Sequence, residues 1–197
     1  PYIVTDQDGI RLVEHAKDGD GRPLGRMCAF HGQMGMFVRA LSYMMSHGSD
    51  GLRHVSGDAV LNANYILAGL RDEMAPAFPG TCMHEALFND EFLDGTDVST
   101  LDFAKAMIDE GYHPMTMYFP LVVHGALLME PTETESKDGL DRYIEVVKGL
   151  AKRAKAGDAA YFKGAPYHTP RRRLDETLAA RQPVLRWKPE VPKKAAE

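Results

Sequence analysis

The stretch "MEPTETES", Met129 to Ser136, crowds three glutamates and two threonines around a proline. It separates the apolar run "LVVHGALL" from the amphipathic run "KDGLDRYIEVVKGLAKRAKA". A metal site, an acid/base pair and a helix start are all chemically open to such a cluster. The local signals favour the helix start. Thr132 followed three residues on by Glu135 has the form of a capping box. Glu133 and Glu135 would sit in the first turn, where the helix dipole favours acid. Leu140, Tyr143, Ile144, Val147, Ala151 and Ala154 then form one apolar stripe, predicting a helix over 133–156. Glu130 lies outside that cap. Pro131 restricts it to extended backbone, and helix initiation does not explain it.

Working outward, "LVVHGALLM" and "TCMHEALF" read as strands, and "HPMTMYFP" as an extended segment bounded by prolines. Ser99 or Thr100 caps a helix carrying Leu101, Ala104, Met107 and Ile108, which ends at Gly111. Further upstream, Met27 to His47 is apolar and methionine-rich, with Phe37, Leu41, Met44 and Met45 at helical spacing and Gly48 as a stop. Ser49 or Asp50 opens a second helix running to about Met74, where "APAFPG" breaks it. "YIVTDQDGIRLVE" predicts a hairpin around Asp8-Gly9. The order hairpin, α, α, β, α, β, β, α, tail is that of an α+β layer, with helices on a small, mainly antiparallel sheet. We expect a lead-in hairpin and linker over 1–25, one α+β domain over 26–160 and an irregular extension over 161–197.

The 197 residues suffice for one ordinary domain, and 44% hydrophobic with 26% charged residues is a globular composition. A net charge of -5 argues against nucleic-acid binding. No apolar run approaches the roughly 20 residues that cross a bilayer, and no secretory leader is visible. Cys28 and Cys82 supply neither a disulfide framework nor a zinc spacing, so a reducing compartment and small core thiols are expected. The opening "PYIVTDQDG" lacks a methionine, and we expect a piece of a longer protein.

Few residues stand out for chemistry. His113 precedes a proline at a helix-to-strand corner, a common place for a functional side chain. His84 and Glu85, read as strand residues, would point to opposite faces, so no metal site is expected there. "GQMG" lacks the spacing of a phosphate loop. The basic run Arg171, Arg172 and Arg173 reads as solvated surface or as a contact for an anion or acidic partner.

The motifs carry more than the residues alone. "EGYHPMTMYFPLVV" with "ALLMEPTETESKDGLD", "DAVLNANYILAGL", "CMHE" and "APYHTPRRRLDE" together resemble the C-terminal region of the glycine decarboxylase family, the P-protein of the glycine cleavage system in its two-subunit bacterial form. The likeness spans about Gly25 to Trp187. It implies the small C-terminal domain of a fold-type I, aspartate aminotransferase-like enzyme that uses pyridoxal 5'-phosphate. It implies a reaction that decarboxylates glycine and passes the aminomethyl group to the lipoyl arm of H-protein. The family's cofactor-binding lysine belongs to the large domain, so no cofactor-binding residue is assigned to this chain, which alone is expected to be inactive.

On this resemblance Glu130 and His113 are the candidate catalytic residues and Thr132 and His84 the candidate substrate-binding residues. Arg171 to Arg173 are the candidates for partner binding. The implied partners are subunit 1 of the enzyme, lipoylated H-protein and glycine, in a cytoplasmic, bacterial oligomer. Two departures from the family pattern stand out: "GQMG" replaces Gly-Asn-Phe-Gly, and Met115 follows Pro114 where a second proline is usual; the arginine that many fold-type I relatives carry before the last helix is also missing from "LLMEP". The rival readings are a non-catalytic interaction or dimerisation module and another enzyme of the same fold, such as an aminotransferase.

Overall fold

The computed structural model describes residues 2–13, 25 and 32–187. The chain divides into two compact units, Pro1–Ser49 and Asp50–Glu197.

The first unit holds an antiparallel hairpin of β1 (Tyr2–Asp6) and β2 (Gly9–Val13), in register Asp6↔Gly9. The turn is Gln7-Asp8, one residue earlier than predicted, because Gly9 supplies the positive φ of 108° that closes it. Of the loop predicted over 15–25, all but Gly25 lies outside the described residues, as does the helix start predicted at Met27. The helix α1 is assigned over Met34–Leu70, with non-helical Gly48 (φ 65°, ψ -175°) inside it. The predicted stop at Gly48 is borne out: its backbone is non-helical, and two helices meet at that kink. Phe37, Leu41, Met44 and Met45, the apolar positions of its first part, are exposed.

In the second unit, the part of α1 that ends at Leu70 buries Ala63, Ile66, Leu67 and Leu70. The sheet has three antiparallel strands in the order β3 (Ala86–Phe88), β5 (Leu127–Met129), β4 (Thr116–Met117). Ala86 pairs with Met129 and Phe88 with Leu127. The strands are much shorter than the apolar runs that predict them, since 81–85 and 121–125 form bends and turns instead. Helix α2 (Thr100–Asp109) starts at Ser99 with a full capping box to Asp102.

Helix α3 (Lys137–Lys155) starts later than predicted. Its N-cap is Ser136, whose hydroxyl accepts from the Gly139 N–H, and not Thr132. The reason is that Thr132 is committed elsewhere: its carbonyl accepts from Asn62, and its hydroxyl pairs with that of Thr134. The predicted stripe is otherwise borne out, with Leu140, Ile144, Val147, Ala151 and Ala154 buried.

Packing continues past residue 160. A short helix α4 (Ala159–Gly164) places Phe162 in the core with no exposure. Phe103 lies between Phe92, edge-on at 5.3 Å, and Phe162, stacked at 6.1 Å. The extension expected to be irregular thus contributes a core aromatic. It also carries a second short helix, α5 (Glu176–Arg181). No helix among the described residues is long and apolar enough to cross a membrane.

Candidate functional site

A cavity of about 400 Å³ opens between the end of β5, the corner after α2 and the first turns of α3. His113, Met129, Glu130, Glu135, Leu140 and Tyr143 are among its lining residues. His113 and Glu130, read separately from the sequence, therefore face one space. The corner carries His113 because Gly111 (φ 84°) ends α2 and Pro114 stops the chain re-entering a helix. Glu130 is exposed just beyond the end of β5. Its lining contains Glu130 and Glu135 but no lysine or arginine. When ionised, this wall suits an amine or another cationic group. Tyr112 and Tyr143, also in the lining, meet edge-on at 5.3 Å, and burial, then Tyr112, pushes the Tyr143 phenol up.

His84 and Glu85 are not strand residues. They lie in the bend before β3, so alternation across a sheet does not separate them. One residue beyond the Ala86↔Met129 pair stand Glu85 and Glu130. Ligand atoms of His84, Glu85 and Glu130 lie within 4.8 Å of one another, and His84 Nε2 is 3.9 Å from Glu85 Oε1. Three groups that accept or release protons meet there, in a geometry that a cation can also use. Thr132, the remaining candidate, is exposed and does not line the cavity.

The basic run folds back on its own chain. Arg173 donates to Asp102 at 2.7 Å and to the Ala165 and Phe162 carbonyls at 2.8 Å. Arg172 covers the Tyr167 ring at 4.8 Å and donates to the Gly164 and Pro166 carbonyls. The Asp109 carboxylate, at the other end of α2, accepts from the Tyr167 and His168 N–H groups. Arg171 is exposed.

Sequence reading missed Asn62, Asn64, Tyr65 and Glu85. In the sequence, Asn62 and Asn64 enter only within the "DAVLNANYILAGL" motif. Tyr65 donates to Asp141 at 2.5 Å, and Lys137 reaches the same carboxylate at 2.6 Å. The Lys137 and Tyr65 bonds hold the Asp141 carboxyl below its usual range. Cys82, a free thiol, is half-buried, and burial pushes its pKa up. Cys28 lies outside the described residues.

Comparison with known proteins decides the family. The model of the glycine dehydrogenase C-terminal domain matches residues 55–163, more than half of the chain. The chain belongs to this family. It is 68% identical over 191 residues to the probable glycine dehydrogenase (decarboxylating) subunit 2 of Caulobacter vibrioides, which covers 96% of this chain and 36% of that protein. It is 49% identical over 195 residues to the like-named protein of Kosmotoga olearia, covering 96% of this chain and 38% of that one. The chain thus spans little more than a third of the relatives it matches. The matched region holds His84, Glu85, His113, Glu130 and Thr132, but not Arg171 to Arg173.

Proposed function

We propose that this chain is the C-terminal part of subunit 2 of a pyridoxal-phosphate-dependent glycine decarboxylase, and that the His113–Glu130 cavity forms one wall of its active site. The observation that carries this reading is the convergence of His113 and Glu130 on one cavity, in a chain whose relatives are named glycine dehydrogenase (decarboxylating) subunit 2. The family implies fold-type I architecture. The helices and small antiparallel sheet are compatible with its small domain.

The cavity does not by itself fit the cofactor. Pyridoxal phosphate brings an aldehyde that needs a lysine and a phosphate that needs donors or positive charge, and no lysine or arginine lines this cavity. The reading leaves the cofactor, and the electron sink it supplies, to the rest of the subunit. The residues here receive narrower roles. The Glu130 carboxylate accepts a hydrogen bond from, or takes a proton at, an amine presented to the cavity, and His113 moves a proton at its rim. Subunit 1, glycine and lipoylated H-protein are the partners, in a bacterial cytoplasm. Arg171, exposed like its two neighbours, is the candidate contact for an acidic partner.

The test is Glu130→Gln in full-length subunit 2, assembled with subunit 1 and cofactor. Glycine turnover falls by about tenfold or more while the thermal midpoint holds. Unchanged turnover would remove Glu130 from the chemistry. The 197-residue chain alone is expected to show no turnover.

A second reading has one specific support. Phe78 and Phe119 line a further cavity of about 510 Å³, and near them along the chain Met83, Leu121 and Val122 are exposed. Such apolar surface suits a subunit contact. On that reading the domain serves association and supplies no side chain to the reaction.

A further inference from the structure

A single turn of α1 holds both segments that bear the His84–Glu85–Glu130 cluster. The Asn64 side chain donates from Nδ2 to the Cys82 carbonyl at 2.7 Å and accepts from the Cys82 N–H at 3.0 Å. Nδ2 also donates to the Val60 carbonyl at 2.8 Å, so the amide's donors and its oxygen are engaged. This two-way bond is the one a neighbouring strand would make. It fixes the rotation as well as the place of the backbone at Cys82, two residues before His84. Asn62 donates to the Thr132 carbonyl at 2.9 Å, two residues after Glu130. Residues two apart on a helix diverge by roughly 200° about its axis, which lets the two amides reach separate segments.

The sheet alone does not do this. Pairing of β3 with β5 ends at Ala86↔Met129, and both His84 and Glu130 lie beyond that end. Glu130 is steered by the adjoining Pro131 and by the Asn62 bond. His84 sits in an open bend, and Asn64 supplies its nearest fixed point upstream.

We propose that Asn64 is a positioning residue: its grip on Cys82 sets His84 and Glu85 against Glu130, and turnover depends on it through that cluster. The inference rests on the reading that this wall faces the reaction. Asn64 touches neither substrate nor cofactor in this account.

The test uses full-length subunit 2 with subunit 1 and cofactor, in two variants. Asn64→Ala removes both bonds to Cys82. Asn64→Asp keeps the size and the acceptor but sets a carboxylate oxygen against the Cys82 carbonyl. Both are expected to lower kcat for glycine by about tenfold with KM changed by less than about threefold. Added to His84→Gln or Glu130→Gln, Asn64→Ala should cost less than about twofold more, because the residues act as one unit. In the 197-residue chain, Asn64→Ala should abolish the NOE between the His84 ring and the Glu130 side chain while the amide spectrum stays dispersed.

Full multiplication of the losses, wild-type kcat in Asn64→Ala or a surviving NOE overturns the inference. If His84→Gln and Glu130→Gln themselves retain full turnover, the functional reading falls and the inference falls with it. If those two lower turnover and only the Asn64 results fail, the functional reading stands alone.

Discussion

Arg173 donates to the Asp102 carboxylate at 2.7 Å and thereby ties the end of the "APYHTPRRR" segment to the first turn of α2. Asp102 also accepts from Ser99, at 3.0 Å from the N–H and 2.6 Å from the hydroxyl. Burial raises its pKa, but the bonds from Ser99 and Arg173 together outweigh that and leave the carboxyl below its usual range. A depressed carboxylate contributes stability above its unfolded pKa and loses it as pH falls through the folded one. Asp102→Asn should therefore cost about 2 kcal/mol at neutral pH. The difference from wild type should shrink as pH falls below the ordinary carboxylate range. Urea denaturation over a pH series measures both. An equal penalty at neutral pH and in acid would contradict the assignment.

The N-cap of α3 separates two serine and threonine residues with similar local sequence credentials. Ser136→Ala should cost about 1 kcal/mol, as loss of a hydroxyl cap does. Thr132→Ala should cost less, since its hydroxyl is bonded to that of the exposed Thr134 and does not cap the helix. Chemical denaturation of the two variants decides, and the reverse order would restore the earlier cap.

Phe162 tests whether the chain beyond residue 160 belongs to the core. It has no exposed surface and stacks on Phe103. Phe162→Ala should cost about 3–5 kcal/mol. A loss under about 1 kcal/mol, the scale of a surface change, would show that α4 only decorates the domain.

His124 and Asp90 make an exposed ion pair at 2.9 Å. The hydrogen bond to Asp90, and then its charge, raise the His124 pKa above 6.5. The sign follows from linkage: the contribution is present below the unfolded pKa and fades as pH rises through the folded one. Solvent screening keeps the effect on stability small, so NMR titration is the better measurement. His124 should titrate above the ordinary histidine value, and Asp90→Asn should bring it down. An unmoved titration would exclude the pair.

Much of the fold is legible in the sequence where periodicity is long. The stripes of α2 and α3 are several turns each, and the burial of Met107, Leu140 and Val147 follows from spacing alone. Strands of three residues are not legible in that way, because apolar runs such as "LVVHGALLM" continue through the turn that ends the pairing. A strand reading of that run therefore sets His84 and Glu85 on opposite faces, although both precede β3. The Ser136 cap is hidden in the sequence because Thr132 satisfies the same local pattern, and the bonds that engage Thr132 with Asn62 and Thr134 appear only in the structure. Phe162 lies in α4, a helix too short to show a period. Of the site, Glu130 and His113 could be singled out by what local structure failed to explain. Asn64 could not, since its role lies in a contact to residue 82.

The most direct test of the account is the position of Glu130 in the assembled enzyme with cofactor and glycine bound. A structure of that complex should place the Glu130 carboxylate or the His113 ring within about 4 Å of the cofactor or the glycine, in contact range. If no atom of residues 84–85 or 112–143 comes that close, the cavity is not a wall of the active site and the domain serves association instead.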